Sequence, residues 1–100
     1  MATINQALYK RKPDVVVKPI KIMVIDDDED DFLLISGFIN HIQGRSFLID
    51  WCYEHDAALR DMREHGHDLY FVDYKLGAKT GLDILKEAVA ADCHQPIVML

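Results

Sequence analysis

No apolar run in this chain approaches the ~18 residues that a membrane span needs. Cysteine is almost absent. Cys52 and Cys93 are the only two, they lack metal-ligand spacing, and no signal peptide precedes them. Two reduced thiols in a cytoplasmic protein are therefore expected. Positive charge is also scarce. Eleven Lys and Arg stand against seventeen Asp and Glu, a net charge of −6. Phosphate backbones need a basic face, so nucleic acid is excluded as a direct partner of this segment. Of three prolines, Pro13 and Pro19 fall early and break any helix that crosses them. No internal repeat is visible.

What remains is a chain of 100 residues, half of them hydrophobic. That is enough for one domain with a core. Met1 to Pro19 differs from the rest. It is basic through Lys10, Arg11, Lys12 and Lys18, and Ile4, Ala7 and Leu8 have the spacing of a short helix. Residues 1–19 are expected to form a mobile leader, and residues 20–100 the folded domain.

That domain is organised around Asp68 to Gly81, DLYFVDYKLGAKTG. Leu69 to Val72 is a short apolar run without alternation, which suits a strand of a parallel sheet covered on both faces. Asp73 follows it directly, at the carboxyl end of the sheet, where open α/β folds place their chemistry. Gly77 and Gly81 allow a turn into a helix. Ile20 to Ile25 has the same character and ends in Asp26, Asp27 and Asp28.

The other elements follow from periodicity. Asp30 and Asp31 open a first helix whose apolar face is Phe32, Leu34, Ile35, Phe38, Ile39 and Ile42, with Gly44 as its stop. Phe47 to Cys52 reads as a strand. Glu54 to His65 reads as a helix buried through Ala57, Ala58, Leu59 and Met62, and stopped by Gly66. Gly81 to Ala91 reads as a helix buried through Leu82, Leu85 and Val89, with Ile84 and Ala88 alongside. Ile97 to Leu100 begins a fourth strand. The alternation predicts α/β architecture, a doubly wound parallel sheet with right-handed crossovers.

In such a sheet the strands ending at Asp26 and at Asp73 are neighbours, so Asp26, Asp27 and Asp73 converge. Three carboxylates raise one another's pKa unless a counter-charge is present. An oxygen-only ligand set with room for water suits Mg²⁺. One carboxylate as nucleophile and two as metal ligands make a coherent phosphoryl-accepting site. Asp28, Glu29, Asp30 and Asp31 read as a solvated helix start. His65 and His67 flank Gly66 with only a thin transition-metal signal. Trp51 reads as a packing residue and Tyr74 as a residue of the site's rim.

These residues resemble a known family. KIMVIDDDEDDFLLI is similar to the first strand, acidic pair and first helix of two-component response-regulator receiver domains. DLYFVDYKLGAKTGLDILKEA is similar to their phospho-acceptor strand, following loop and third helix, and PIVML to their fourth strand. The resemblance implies a flavodoxin-like fold with strand order 2-1-3-4. It implies that Asp73 accepts a phosphoryl group from a histidine kinase or a phosphotransfer protein, and that Asp26 and Asp27 hold Mg²⁺. Lys75 would offer its backbone carbonyl to the metal, and Gly81 would permit the turn. The implied protein is a bacterial signalling switch rather than a conventional enzyme, acting on an output domain or effector.

The family's switch Thr or Ser and its Lys would fall after residue 100, as would a fifth strand, so residues 20–100 read as a receiver incomplete at its carboxyl end. Alternatives remain. Ile22 to Asp28 matches the D-x-D strand of haloacid-dehalogenase-type phosphohydrolases with Asp26 as nucleophile, but that family wants a small or hydroxylated residue at Asp30. A calcium loop over Asp26 to Asp31 fails at Asp31 and Gly37. A receiver-like module used only for protein contacts is the third. An uncovered fourth strand is expected to pair or swap with a second copy. Size-exclusion chromatography with light scattering should then give a dimer mass, and a folded monomer would refute the pairing.

Overall fold

The computed structural model describes residues 18–76 and 79–100. The leader, up to residue 17, and Gly77 lie outside the described residues. The elements in order are β1 (Ile20–Ile25), α1 (Glu29–Asn40), β2 (Phe47–Cys52), α2 (His55–Glu64), β3 (Leu69–Val72), β4 (Lys75–Leu76), β5 (Lys79–Thr80), α3 (Gly81–Ala90) and β6 (Ile97–Met99). The main sheet is parallel in the order β2-β1-β3-β6. The expected order 2-1-3-4 is therefore present, with β6 as the fourth long strand. The small antiparallel β4–β5 hairpin was not anticipated, because two-residue strands carry no periodicity to read.

The missing alternation in β1 has a direct cause. Ile22 and Val24 pack with Ile39 of α1 on one face. Met23 and Ile25 pack on the other face with Ala58, Leu59 and Met62 of α2 and with Ile84 and Ala88 of α3. Both faces of the central strand are dry, so every residue from Ile22 to Ile25 is apolar.

Two helices bury different stripes from those expected. In α1 the contact stripe is Phe32, Ile35 and Ile39. Leu34, Phe38 and Ile42 lie outside it and are more than half exposed. The expected face was too broad: a single helix touches the sheet through one stripe, and these residues sit about 100° round it. In α3 the buried residues are Gly81, Ile84 and Ala88, whereas Leu82 and Val89 are exposed. The whole phase is turned by one residue. Gly81 causes this. A Cβ there would meet the Asp73 carbonyl oxygen at 2.5 Å, Met99 Sδ at 2.7 Å and Val72 Cγ1 at 3.0 Å. The helix enters with its smallest residue against the sheet, and Ile84 and Ala88 follow at helical spacing. Thr80 caps it in a reciprocal box with Asp83.

The helix stops also differ. α1 ends at Asn40, and Gly44 (φ 87°) serves the turn that follows. At the end of α2 the left-handed residue is His65 (φ 55°), not Gly66. Gly66 is needed for space, since a Cβ would strike the Asp61 carboxylate. That carboxylate is held in place by Tyr70 Oη and His67 Nδ1, each at 2.7 Å. The other nitrogen of His67, Nε2, lies 2.7 Å from Asp50 on β2. His65 instead faces Gln95. The two histidines thus diverge into separate structural contacts and do not form a metal pair.

Gly81 should tolerate no side chain. Gly81→Ala is expected to cost about 1–3 kcal/mol through overpacking, read as a lower urea midpoint. An unchanged midpoint would show that α3 can shift away from the sheet freely.

Candidate metal and phospho-acceptor site

Strand register builds the site. β1 pairs with both neighbours up to the same level, Ile25 facing Cys52 on one side and Val72 on the other. The next residue of each strand leaves the ladder there. Asp26 N–H donates to the Cys52 carbonyl (3.0 Å), and Asp73 N–H donates to the Ile25 carbonyl (2.8 Å). Asp26 and Asp73 are thereby fixed side by side at the carboxyl edge, and Asp27 follows in the loop. One carboxylate oxygen from each of Asp26, Asp27 and Asp73 lies within 4.8 Å of the other two.

The three acids are differently exposed. Asp26 is 2 % exposed, Asp73 is half-buried and Asp27 is exposed. Asp26 Oδ1 accepts the Asp28 N–H at 2.9 Å. Asp28 in turn caps α1 by accepting the Asp30 N–H. Burial pushes the Asp26 pKa above its ordinary 3.8; the Asp28 N–H opposes this, while the charges of Asp73, Asp31 and Asp27 add to the rise. Asp31 is raised too, by desolvation and by Asp28 and Asp73 among its neighbours. The acidic helix start therefore feels the site, although Asp31 belongs to α1.

The donor set fits a hard divalent cation. It is all oxygen, it is compact, and its most buried member carries an unfavourable charge that a cation would relieve. Lys75 lies in β4 opposite Thr80 with its side chain exposed. Leu76 is buried in the core beside it, which ties the loop after Asp73 down onto the sheet. A cleft of ≈ 350 Å³ adjoins the acids, lined by residues that include Asp27, Tyr53, His55, Leu76 and Lys79. Tyr74 is exposed at the rim, and its carbonyl accepts the Gly81 N–H.

Sequence reasoning missed one contributor. The Trp51 indole N–H donates to the Asp26 carbonyl at 2.7 Å, and the ring stacks on Phe32 at 5.7 Å. Its signal in the sequence was faint: a lone tryptophan near the end of a strand that neighbours the acidic one.

No family model and no characterised protein sequence matches this chain. Solved structures do. The MaeR response regulator bound to beryllium trifluoride aligns at a TM-score of 0.71 with 15% identity, over 81% of this chain and 66% of that one. A CheY-like response regulator receiver domain from Methylobacillus flagellatus aligns at 0.68 with 19% identity, over 82% and 69%. The N-terminal domain of an uncharacterised protein from Wolinella succinogenes aligns at 0.62 with 20% identity, over 82% and 64%. The chain thus spans roughly two thirds of these structures' length. Its fold is that of response-regulator receiver domains, the CheY-like form of the flavodoxin fold. No helix among the described residues is long and apolar enough to cross a membrane.

The raised pKa of Asp26 has a consequence for stability. In metal-free protein its protonation favours the folded state below 3.8, and this contribution is lost as pH rises through the raised native value. Asp26→Asn should therefore be more stable than wild type at pH 7 in EDTA. The difference should vanish below 3.8. Urea midpoints against pH measure it, and a less stable variant at pH 7 would contradict the assignment.

Proposed function

We propose that this chain is a phospho-accepting receiver domain of a two-component system. Asp73 takes a phosphoryl group from the phosphohistidine of a histidine kinase or phosphotransfer protein. The observation that carries this reading is the convergence of Asp26, Asp27 and Asp73 at the carboxyl edge of a receiver fold. A neighbour in fold, the MaeR response regulator, is bound to beryllium trifluoride, an ion that stands in for a phosphoryl group, which supports the same chemistry here.

Asp26 and Asp27 would hold Mg²⁺, and the Lys75 backbone carbonyl would complete the protein's share of its ligands. When bound, the ion neutralises charge on the phosphoryl oxygens. Asp73 is the acid suited to attack, because it is only half-buried and sits on the central pair of strands. One of its oxygens forms a bond to phosphorus while the bond from phosphorus to the donor imidazole nitrogen breaks. The electron pair stays on that nitrogen. Asp26 is poorly placed as a nucleophile of the dehalogenase type, since it is almost fully buried and already accepts the Asp28 N–H.

The product is a signal rather than a released metabolite. The acyl phosphate adds about −2 of charge beside the site and biases a two-state element. Slow hydrolysis would reset it. An output domain or downstream effector would read the change, in the cytoplasm of a bacterial cell.

Intact-mass spectrometry after incubation with acetyl phosphate and Mg²⁺ tests the proposal. One phosphoryl group should be gained by wild type and none by Asp73→Asn or by wild type in EDTA. A gain that persists in Asp73→Asn would place the acceptor elsewhere, and no gain in folded wild type would favour a contact-only module.

A further inference from the structure

We propose that Trp51 is a positioning residue of the acidic site: its indole N–H locks the peptide between Asp26 and Asp27 and so sets how well the two acids grip a divalent cation. This rests on the reading of Asp26 and Asp27 as metal ligands.

Trp51 belongs to β2, an edge strand of the main sheet, so its ring could have pointed along open surface. Instead the indole crosses to the end of β1 and donates to the Asp26 carbonyl oxygen at 2.7 Å. That carbonyl belongs to the peptide joining Asp26 to Asp27. Its orientation governs where Asp27 leaves the strand relative to Asp26. The Asp26 N–H is held from the same strand, by the Cys52 carbonyl at 3.0 Å. β2 therefore fixes Asp26 at both ends of its backbone, once through the ladder and once through a side chain.

The ring is itself held. Phe32, on the inner stripe of α1, stacks on it at 5.7 Å with 17° between planes. Tyr53 lies against it at 5.4 Å, and Tyr53 also lines the cleft beside Asp27. An indole in contact with two other rings has less rotamer freedom left to lose, so its donor costs less to hold in place. Without that donor the Asp26 carbonyl would find water, and the peptide would be free to tilt. The three carboxylates, which repel one another, would then relax apart.

Trp51 is the only tryptophan in the chain, so its emission reports on this one place. The full chain should be titrated with Mg²⁺ alone, by calorimetry and by fluorescence. Wild type should bind, and its tryptophan emission should change over the same concentration range. Trp51→Phe keeps one aromatic ring at this position and removes the N–H. It should bind Mg²⁺ about five-fold more weakly, as loss of one hydrogen bond implies, while its urea midpoint moves little. If wild type binds no Mg²⁺ by calorimetry, the reading of the site falls and this proposal with it. If wild type binds and folded Trp51→Phe binds equally well, the site reading stands and the role of Trp51 is overturned. If Trp51→Phe does not fold, Trp51→Leu is titrated in its place: weaker Mg²⁺ binding upholds the role, and equal binding overturns it.

Discussion

The level at which the three strands end is the constraint on which this structure depends. β1 is paired on both sides to the same depth, so the residues just past Ile25 and Val72 must lie together. Both are aspartates. Register errors in a parallel sheet are costly because a one-residue slip would turn Ile22 and Val24 away from α1 and Met23 and Ile25 away from α2 and α3. The apolar packing on both faces therefore holds the acids together against their own repulsion. A hydrophobic core of this kind is indifferent to what it positions, which is why carboxylates can be forced into a place that costs stability in the absence of a cation.

The architecture and the three acids were legible in the sequence for this same reason. Continuous apolar runs ending in Asp are a pattern that a doubly covered parallel strand produces and that little else does. The rest was less legible, and particular residues show why. Helical spacing identifies an apolar stripe but not its phase when apolar residues occupy adjacent positions. In α3, Leu82 and Ile84 were both available, and the choice fell to Gly81, which fits where a Cβ would meet the Asp73 carbonyl. No periodicity contains that information. In and just after α1, the exposed Leu34, Phe38 and Ile42 are as apolar, as letters, as the partly buried Phe32 and Ile35 and the buried Ile39.

Polar side chains at long sequence separation were the least visible. The donor from Trp51 to the Asp26 carbonyl spans twenty-five positions. The tie of His67 to Asp50 spans seventeen. Tyr70, on β3, reads as one more apolar strand residue. Its hydroxyl is in fact bound to Asp61, and burial together with that carboxylate pushes its pKa up. Each of these is a single contact with no repeat, and only the assembled sheet brings the partners together.

The two sets of polar contacts sit at different ends of the fold's mechanics. Asp61, His67, Tyr70 and Asp50 link the end of α2 to β2 and β3, and they use both nitrogens of a buried imidazole. Every charge there has a close partner, so the group stabilises a fixed geometry. At the carboxyl edge like charges are gathered, and the pKa of the most buried member is raised. A fold that is fully satisfied in one place can hold tension in another. On the proposed function, that tension is what a cation and a phosphoryl group would relieve or exploit. Asp26 is where the two regimes meet, because β2 anchors its N–H through the Cys52 carbonyl and its carbonyl through the Trp51 indole, and yet it carries the most buried of the acids.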